Sequence, residues 1–214
     1  MLNTIVAEKF SEFADRIEKG ENAADIARAA LKKHWKVVFN GNNYDPAMQQ
    51  MLTDRGVWRI DSGVEAIARL TAEKNVALFE KMGVLTAVEC KARQDVLHGH
   101  YVGTVEMEAD CMVDMINQHV IPAVKAAGVG PLKELENAVV TLKDGLAGIH
   151  HAEEPIEKAR LARVLRLETM IDIRKICDAA EEVVPADLWS LATYKELLFL
   201  DSHTHVSMND YFDD

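Results

Sequence analysis

The sequence has few cysteines, prolines and glycines and contains no long hydrophobic run. Its three cysteines, Cys90, Cys111 and Cys177, are far apart and odd in number, which favours free thiols in the cytoplasm over a disulfide framework. The 11 glycines and 5 prolines are too sparse for a turn-rich all-β protein. No stretch approaches the roughly 18 apolar residues of a membrane helix, and the first residues do not resemble a signal peptide. We therefore expect a cytoplasmic protein without a membrane partner.

The charge balance excludes a further class of partner. The chain of 214 residues has a formal net charge of −11, and the acidic residues are spread along its whole length. Such a surface repels phosphate backbones, so nucleic acid is not an expected partner. Apolar residues make up 49% of the chain, which excludes intrinsic disorder. Composition thus indicates an acidic globular protein and leaves its function open.

Apolar residues recur at helical spacing along almost the whole chain, which predicts an all-α protein. Capping and turn residues predict shorter helices over 2–19, 22–35, 46–55 and 63–82, the last with a possible break. The run 37–39 leans toward β structure, but the turn-forming residues 40–43 stop it. Three long helices are predicted over 86–121, 131–149 and 155–183, the first of them about 50 Å long.

Long helices joined by short turns pack as an antiparallel bundle. We therefore predict a helical N-terminal segment with an Asn/Gly loop over 1–85, a long-helix bundle over 86–185, and an aromatic tail with an acidic C-terminus over 186–214. The tail is expected to lie back over the bundle, and the three parts are expected to form one structural domain.

A search for catalytic and metal-binding motifs finds none that is complete. The sequence contains no phosphate-binding loop, no dinucleotide-binding glycine motif and no nucleophile elbow. A di-metal site in a helical bundle needs Glu-x-x-His on each of two helices, and the nearest motif here is the single pair Asp95 and His98. His98 and His100 project about 200° apart on a helix, so they do not form a ligand pair.

Several charged clusters have a simpler interpretation than a binding site. Acidic residues at four-residue spacing form a column on one helix face, which a solvated surface explains better than cation binding. A basic cluster is flanked by glutamates, so intrahelical ion pairs are the preferred interpretation. Two histidines at a helix C-terminus are electrostatically favoured there, and a pair in the tail is interpreted as incidental. No cysteine has a neighbour that would activate its thiol. These residues are Glu106, Asp110 and Asp114; Lys158, Arg160, Arg163 and Arg166; His150 and His151; and His203 and His205.

Six segments, in the same order over nearly the whole chain, point to one family. They are 2–8 (Leu-Asn-Thr-Ile-Val-Ala-Glu), 38–44 (Val-Phe-Asn-Gly-Asn-Asn-Tyr), 78–85 (Leu-Phe-Glu-Lys-Met-Gly-Val-Leu), 105–109 (Val-Glu-Met-Glu-Ala), 121–123 (Ile-Pro-Ala), and 187–189 with 194–199 (Asp-Leu-Trp and Tyr-Lys-Glu-Leu-Leu-Phe). Together they resemble the C-terminal region of type III glutamine synthetases. Ser190 and Ala192 stand where the tail pattern of that family has prolines.

The resemblance implies an enzyme activity whose catalytic and ligand-binding residues lie outside the part of the family that this chain resembles. The full-length enzyme condenses glutamate with ammonia using ATP, and its metal-binding, phosphate-binding and substrate-binding residues precede the segment that resembles 2–8. The resemblance therefore implies that this chain is a C-terminal piece. No catalytic, cofactor-binding or metal-binding residue is expected in it, and ATP and magnesium are implied only for the full-length enzyme.

Three hypotheses follow. We favour a non-catalytic helical domain that acts in folding and ring assembly, with further copies of the chain or the missing catalytic region as partners. The first helix would then expose an apolar stripe when that region is absent. The alternatives are a free-standing helical scaffold that binds other proteins, and a metal-binding helical bundle. The oligomeric state and the role of the loop 40–44 stay open.

Overall fold

The computed structural model describes residues 1–199, and within this range it contains helices and no strand, which confirms the predicted all-α class. The acidic C-terminus from Asp201, with His203 and His205, lies outside the described residues. In the part described, no helix is both long and apolar enough to cross a membrane. The helices are α1 (Leu2–Glu18), α2 (Ala23–His34), α3 (Pro46–Asp54), α4 (Gly63–Ala68), α5 (Glu73–Lys81), α6 (Ala87–Met115), α7 (Ile121–Ala127), α8 (Leu132–His151), α9 (Pro155–Val164), α10 (Met170–Glu181) and α11 (Tyr194–Leu198).

Side chains cap the starts of α2, α3 and α4. The side chain of Asn22 accepts backbone N–H bonds at the start of α2, and Asp45 does so at the start of α3, where Pro46 is the first helical residue. The Oγ of Ser62 accepts the N–H of Val64 at 3.2 Å and so begins α4. Each cap satisfies a backbone donor that the helix itself leaves unpaired.

Contacts divide the chain into two compact units, 1–101 and 102–214. In the first unit, α1 packs against α2 and α5, and α4 continues through a short 3₁₀ turn (Arg69–Thr71) toward α5. Residues 35–37 form another 3₁₀ turn, so the β-branched residues that follow α2 form no strand. The core of this unit consists of side chains that are almost wholly buried: Ile26, Val64, Phe79 and Cys90, with the polar Gln94 and His98 beside them.

The longest helix continues past the proline that was expected to end it. It runs from Ala87 to Ala127, 41 residues, through a π-helical segment (Ile116–Val120) that joins α6 to α7. A proline ring normally collides with the carbonyl four residues earlier, which for Pro122 is that of Gln118. Gln118 lies in the π segment, where the N–H of Ile121 instead bonds to the carbonyl of Ile116. The wider turn therefore lets Pro122 stand inside the helix.

The second unit is a bundle of three helices that run up, down and up. Lys125 pairs with Glu136 at 3.2 Å near the first turn, and Glu106 pairs with His150 at 3.1 Å near the far end, so α8 is antiparallel to the long helix. The third helix comprises α9, a second π segment (Leu165–Thr169) and α10. Side chains from all three helices form its buried core: Val105, Ala109, Ile116, Val120, Leu135, Leu142, Ile149, Ala162, Leu165 and Ile173.

Candidate interaction surfaces

The pair that came nearest to a metal-ligand motif does not form a site. Asp95 pairs with Lys91 on the same helix, and its carboxylate is half-exposed to solvent. The His98 ring is buried, and its Nε2 lies 3.1 Å from the carbonyl oxygen of Val64. The two side chains therefore serve separate contacts.

The acidic column does not gather ligands either. Glu106 pairs with His150, while Asp110 and Asp114 are exposed. Within residues 1–199, no three side chains of His, Cys, Asp or Glu converge on a common point. The metal-binding alternative therefore has no support.

The basic cluster is held by ion pairs, although not all of them are intrahelical. Arg160 lies 3.6 Å from Glu157, and Arg163 lies 3.5 Å from Glu168, both along the third helix. Arg166 instead reaches the long helix, where its Nε and Nη2 each lie 3.1 Å from a carboxylate oxygen of Glu108. The intrahelical interpretation is thus wrong for Arg166, because the bundle places a glutamate from another helix within reach.

The two histidines that end α8 have structural partners. The Nδ1 of His151 donates to the carbonyl of Ala147 at 2.6 Å, one turn earlier in the same helix. The Nε2 of His150 lies 3.1 Å from a carboxylate oxygen of Glu106 on the long helix. Both residues thus stand in the last turn of α8, where the sequence placed them, and each has a contact within the bundle.

The cysteines are all free thiols in different surroundings. Cys90 is buried, Cys111 is exposed, and Cys177 lies between these extremes. Burial, with a smaller contribution from the neighbouring Asp178 carboxylate, raises the pKa of the Cys177 thiol to about 11. This shift disfavours the reactive thiolate.

The Asn/Gly loop at 40–44 is ordered by its own polar groups. The side chain of Asn42 accepts the N–H of Tyr44 at 3.0 Å, and the Gln49 amide donates to the carbonyl of Asn43 at 3.2 Å. Gly41 has a φ of 142°, and a Cβ there would lie 2.5 Å from the Met48 side chain. The loop holds Tyr44 with 88% of its surface exposed. It is therefore a fixed surface feature.

The first helix presents its apolar side to solvent, and we name this surface the α1 stripe. The apolar residues of the stripe lie three, four or seven positions apart, which places them on one side of the helix. Phe10, one of them, is 68% exposed. The side that packs within the unit is polar: Thr4 is buried, and Glu8 pairs with Lys81 of α5 at 3.3 Å. Phe10, at the centre of the stripe, lies about 120° around the helix from Thr4. The exposed members of the stripe are Leu2, Ile5, Val6, Phe10 and Ile17.

A second apolar surface is a groove in the second unit, which we name the Met groove. It lies between the long helix and α10 and has a volume of about 750 Å³. The stretch 189–192 forms one wall, and it is attached to the long helix by a 2.7 Å hydrogen bond between Ser190 Oγ and His119 Nδ1. The side chains that line the groove are mainly apolar: Met112, Met115, Ile116, Val120, Met170, Ile171, Cys177, Trp189, Leu191 and Leu197.

No pattern in the sequence indicated the Met groove. Its methionines stand on two helices that are more than 50 residues apart in the chain, for instance Met115 and Met170. Helical periodicity assigns them to the core, because apolar residues at such spacing usually face the interior. For α1, in contrast, helical spacing predicts an apolar side, and the family resemblance predicts that this side is exposed.

The chain is similar to known proteins over most of its length. Residues 23–139, slightly more than half of the chain, match the family model "Glutamine synthetase C-terminal domain". The chain is similar to the type-3 glutamine synthetase of Dictyostelium discoideum, with 27% identity over 94% of this chain and 33% of the relative. It is also similar to a glutamine synthetase of Butyrivibrio fibrisolvens, with 23% identity over 85% of this chain and 30% of the relative. The chain thus spans about a third of the length of these curated relatives.

Proposed function

Because the chain belongs to the glutamine synthetase C-terminal domain family, we propose that it is the helical assembly part of a glutamine-forming enzyme in nitrogen metabolism. In this proposal, the chain contributes docking surfaces to a larger cytoplasmic assembly, and the catalytic groups belong to another region. The three free cysteines are consistent with a reducing compartment. The family resemblance found in the six sequence segments agrees with the family match.

The α1 stripe is the observation that carries this proposal. Five apolar side chains, Leu2, Ile5, Val6, Phe10 and Ile17, are each more than 40% exposed along a helix of 17 residues. A contiguous exposed apolar surface of this kind marks a contact with another protein. The helix cannot bury the stripe inside its own unit, because Thr4 and Glu8 already pack there.

The occupant that fits the stripe best is the catalytic region of the same enzyme. The curated relatives are about three times as long as the part that matches this chain, so they contain a large region outside the matched part. The described residues do not fit a magnesium site, since no three carboxylate, imidazole or thiolate side chains converge in the range 1–199. In this proposal, the resemblance to the full-length enzyme assigns ATP and magnesium to that other region.

The test uses one substitution in the stripe and one matched control. Phe10→Glu places a charge in the centre of the stripe, and Val140→Glu places the same charge on an exposed position of α8 outside it. We expect the unaltered chain and Val140→Glu to self-associate in sedimentation velocity, because the stripe is uncovered, and Phe10→Glu to be monomeric. Monomeric behaviour of the unaltered chain over about a hundredfold range of concentration would contradict the proposal.

A second measurement addresses catalysis. The chain and its Phe10→Glu variant are each combined with the catalytic region of a type-3 glutamine synthetase, and glutamine formation from glutamate, ammonia and ATP is followed. Activity that depends on the unaltered stripe supports the docking role. Turnover by the 214-residue chain alone would overturn the assignment of the catalytic groups to another region.

The alternative is a free-standing scaffold of the same ancestry that binds other proteins. The DNA that flanks the coding region distinguishes the two. A catalytic region upstream and in frame supports the assembly part of an enzyme, whereas a promoter and a stop codon directly upstream support an independent scaffold.

A further inference from the structure

The Met groove has the size and lining of a small-molecule site. Its volume of about 750 Å³ falls within the range of roughly 300–1,000 Å³ that is typical of ligand pockets. Met112, Met115 and Met170 line it together with the Trp189 ring. Thioether side chains are flexible and polarisable, and they make favourable contacts with aromatic rings. The lining therefore suits a flat or branched apolar molecule.

The two helices that form the groove both depart from regular α-helical winding beside it. Ile116 and Val120 bound the π segment of the long helix and line the groove, and Arg166, which also lines it, lies in the π segment of the third helix. Single π turns inside α-helices are rare and occur frequently at functional sites. Their presence on both sides of one groove is an observation independent of its volume and polarity.

The charges at the rim restrict the ligand. Glu108 is paired with Arg166 through two 3.1 Å contacts, and Asp178 lies 3.6 Å from Arg174. Glu181 adds a third carboxylate to these two ion pairs, so the groove carries a net negative charge. An anionic ligand would be repelled there, whereas a neutral or cationic one would not. Trp189 is among the lining residues, and an indole ring attracts a cation that lies over its face.

We propose that the Met groove binds an apolar small molecule that is neutral or carries one positive charge. This site is separate from the α1 stripe, which lies in the other unit, so the proposal does not depend on the assembly role. The stretch 189–192 forms one wall of the groove and is attached to the long helix by the Ser190–His119 hydrogen bond. The site accordingly serves recognition of an apolar compound by the C-terminal domain.

The test compares two probes that share one aromatic body. N-phenyl-1-naphthylamine is neutral, and 8-anilino-1-naphthalenesulfonate is the same skeleton with an added sulfonate. The protein has three tryptophans, and Trp35→Phe with Trp58→Phe leaves Trp189, in the groove wall, as the sole energy donor. We expect saturable energy transfer from Trp189 to the neutral probe at one site per chain. The sulfonated probe should bind more weakly by about threefold or more.

A matched pair of substitutions locates the probe. Met115→Glu places a carboxylate in the lining of the groove, and Met107→Glu places one on a position of the same helix that is 66% exposed and outside the groove. The first should weaken binding of the neutral probe by about tenfold or more, and the second by less than about twofold. Met115→Leu should retain binding, which separates loss of the site from loss of folding.

Three results would overturn the proposal. The first is the absence of saturable energy transfer from Trp189. The second is equal weakening by Met115→Glu and Met107→Glu, or tighter binding of the sulfonated probe than of the neutral one. The third is a groove occupied by a second copy of the chain: probe affinity would then fall as protein concentration rises, and Met115→Glu would reduce the sedimentation coefficient.

Discussion

The Nε2–H of His98 donates a hydrogen bond of 3.1 Å to the carbonyl oxygen of Val64, and both residues are almost wholly buried. This bond joins α6 to α4 inside the first unit, beside Gln94, whose amide donates to the carbonyl of Ala68 at 3.0 Å. The histidine that stood nearest to a metal-ligand motif in the sequence is thus a structural donor. Its role is to satisfy a carbonyl that no water reaches.

Replacing this histidine should destabilise the first unit. His98→Ala removes the donor to Val64 and leaves a cavity, so we expect the free energy of unfolding to fall by about 2–4 kcal/mol. Val96→Ala, on the same helix at a position that is 70% exposed, should change it by less than about 0.5 kcal/mol. Urea denaturation, monitored by circular dichroism, measures the free energy of unfolding of both variants. Equal losses in His98→Ala and Val96→Ala would refute the structural role of His98.

Two glycines of α8 should respond to alanine in opposite directions. A Cβ on Gly145 would lie 2.8 Å from the Cδ1 of the buried Leu165, whereas a Cβ on Gly148 would meet nothing within 4 Å. Gly145→Ala should lower the free energy of unfolding by about 1–2 kcal/mol through overpacking. Gly148→Ala should raise it by about 0.5–1 kcal/mol through helix propensity. The midpoint of thermal unfolding of each variant tests these expectations. Stabilisation by Gly145→Ala would show that α8 and the third helix do not approach closely at Gly145.

The start of the long helix should contribute to stability in a pH-dependent way. The backbone N–H of Thr86 donates to Glu89 at 2.8 Å and its hydroxyl at 2.9 Å, and these bonds lower the pKa of Glu89 below its ordinary value of 4.5. A carboxylate with a lowered folded-state pKa stabilises the protein above its unfolded-state pKa, and the contribution is lost as the pH falls through the folded-state value.

We therefore expect Glu89→Gln to lower the urea midpoint at pH 7, with the difference from the unaltered chain shrinking below about pH 4.5. Asp144→Asn, at an exposed position in the middle of α8, is the control for general loss of a surface charge. A difference that persists unchanged into strong acid would contradict the role of the ionised Glu89.

The cysteines should differ in reactivity toward alkylating agents. With a pKa of about 11, Cys177 is ionised in about one molecule in a thousand at pH 8. Iodoacetamide should therefore modify the exposed Cys111 long before Cys177, and the rate at Cys177 should rise about tenfold per pH unit up to its pKa. Mass spectrometry of the digested protein assigns the sites. Faster modification of Cys177 than of Cys111 at pH 8 would contradict the buried environment.

Local chemistry explains why the helix ends were predictable. The capping side chains bond to backbone groups within three residues of themselves, so a short stretch of sequence contains both partners of each bond. These side chains are Asn22, Asp45 and the Thr86–Glu89 pair. Helical spacing likewise places the members of the α1 stripe on one side of the helix, whereas the expectation that this side is exposed came from the family resemblance.

Features that depend on two distant segments were not predictable in this way. Pro122 was expected to end the long helix, and only the wider winding before it shows why the helix continues. The sequence predicts an intrahelical partner for Arg166, but its guanidinium lies 3.1 Å from the carboxylate of Glu108, 58 residues earlier on another helix. The Met groove is likewise formed by two helices and the stretch 189–192, which are distant from one another in the sequence.

The π segment before Pro122 also sets an angle. Its residues are wound with hydrogen bonds five positions apart, as between Ile121 and Ile116, so it contains one residue more than a regular turn. Removing one of them would restore a regular turn and leave the later side chains, including the buried Val124, on nearly the same sides of the helix. The same deletion in the regular part of the helix would rotate every later side chain by about 100° about the helix axis. A one-residue deletion in the π segment should thus disturb the packing of the helix end less than one elsewhere in the helix, although it would return the carbonyl of a regular turn to Pro122.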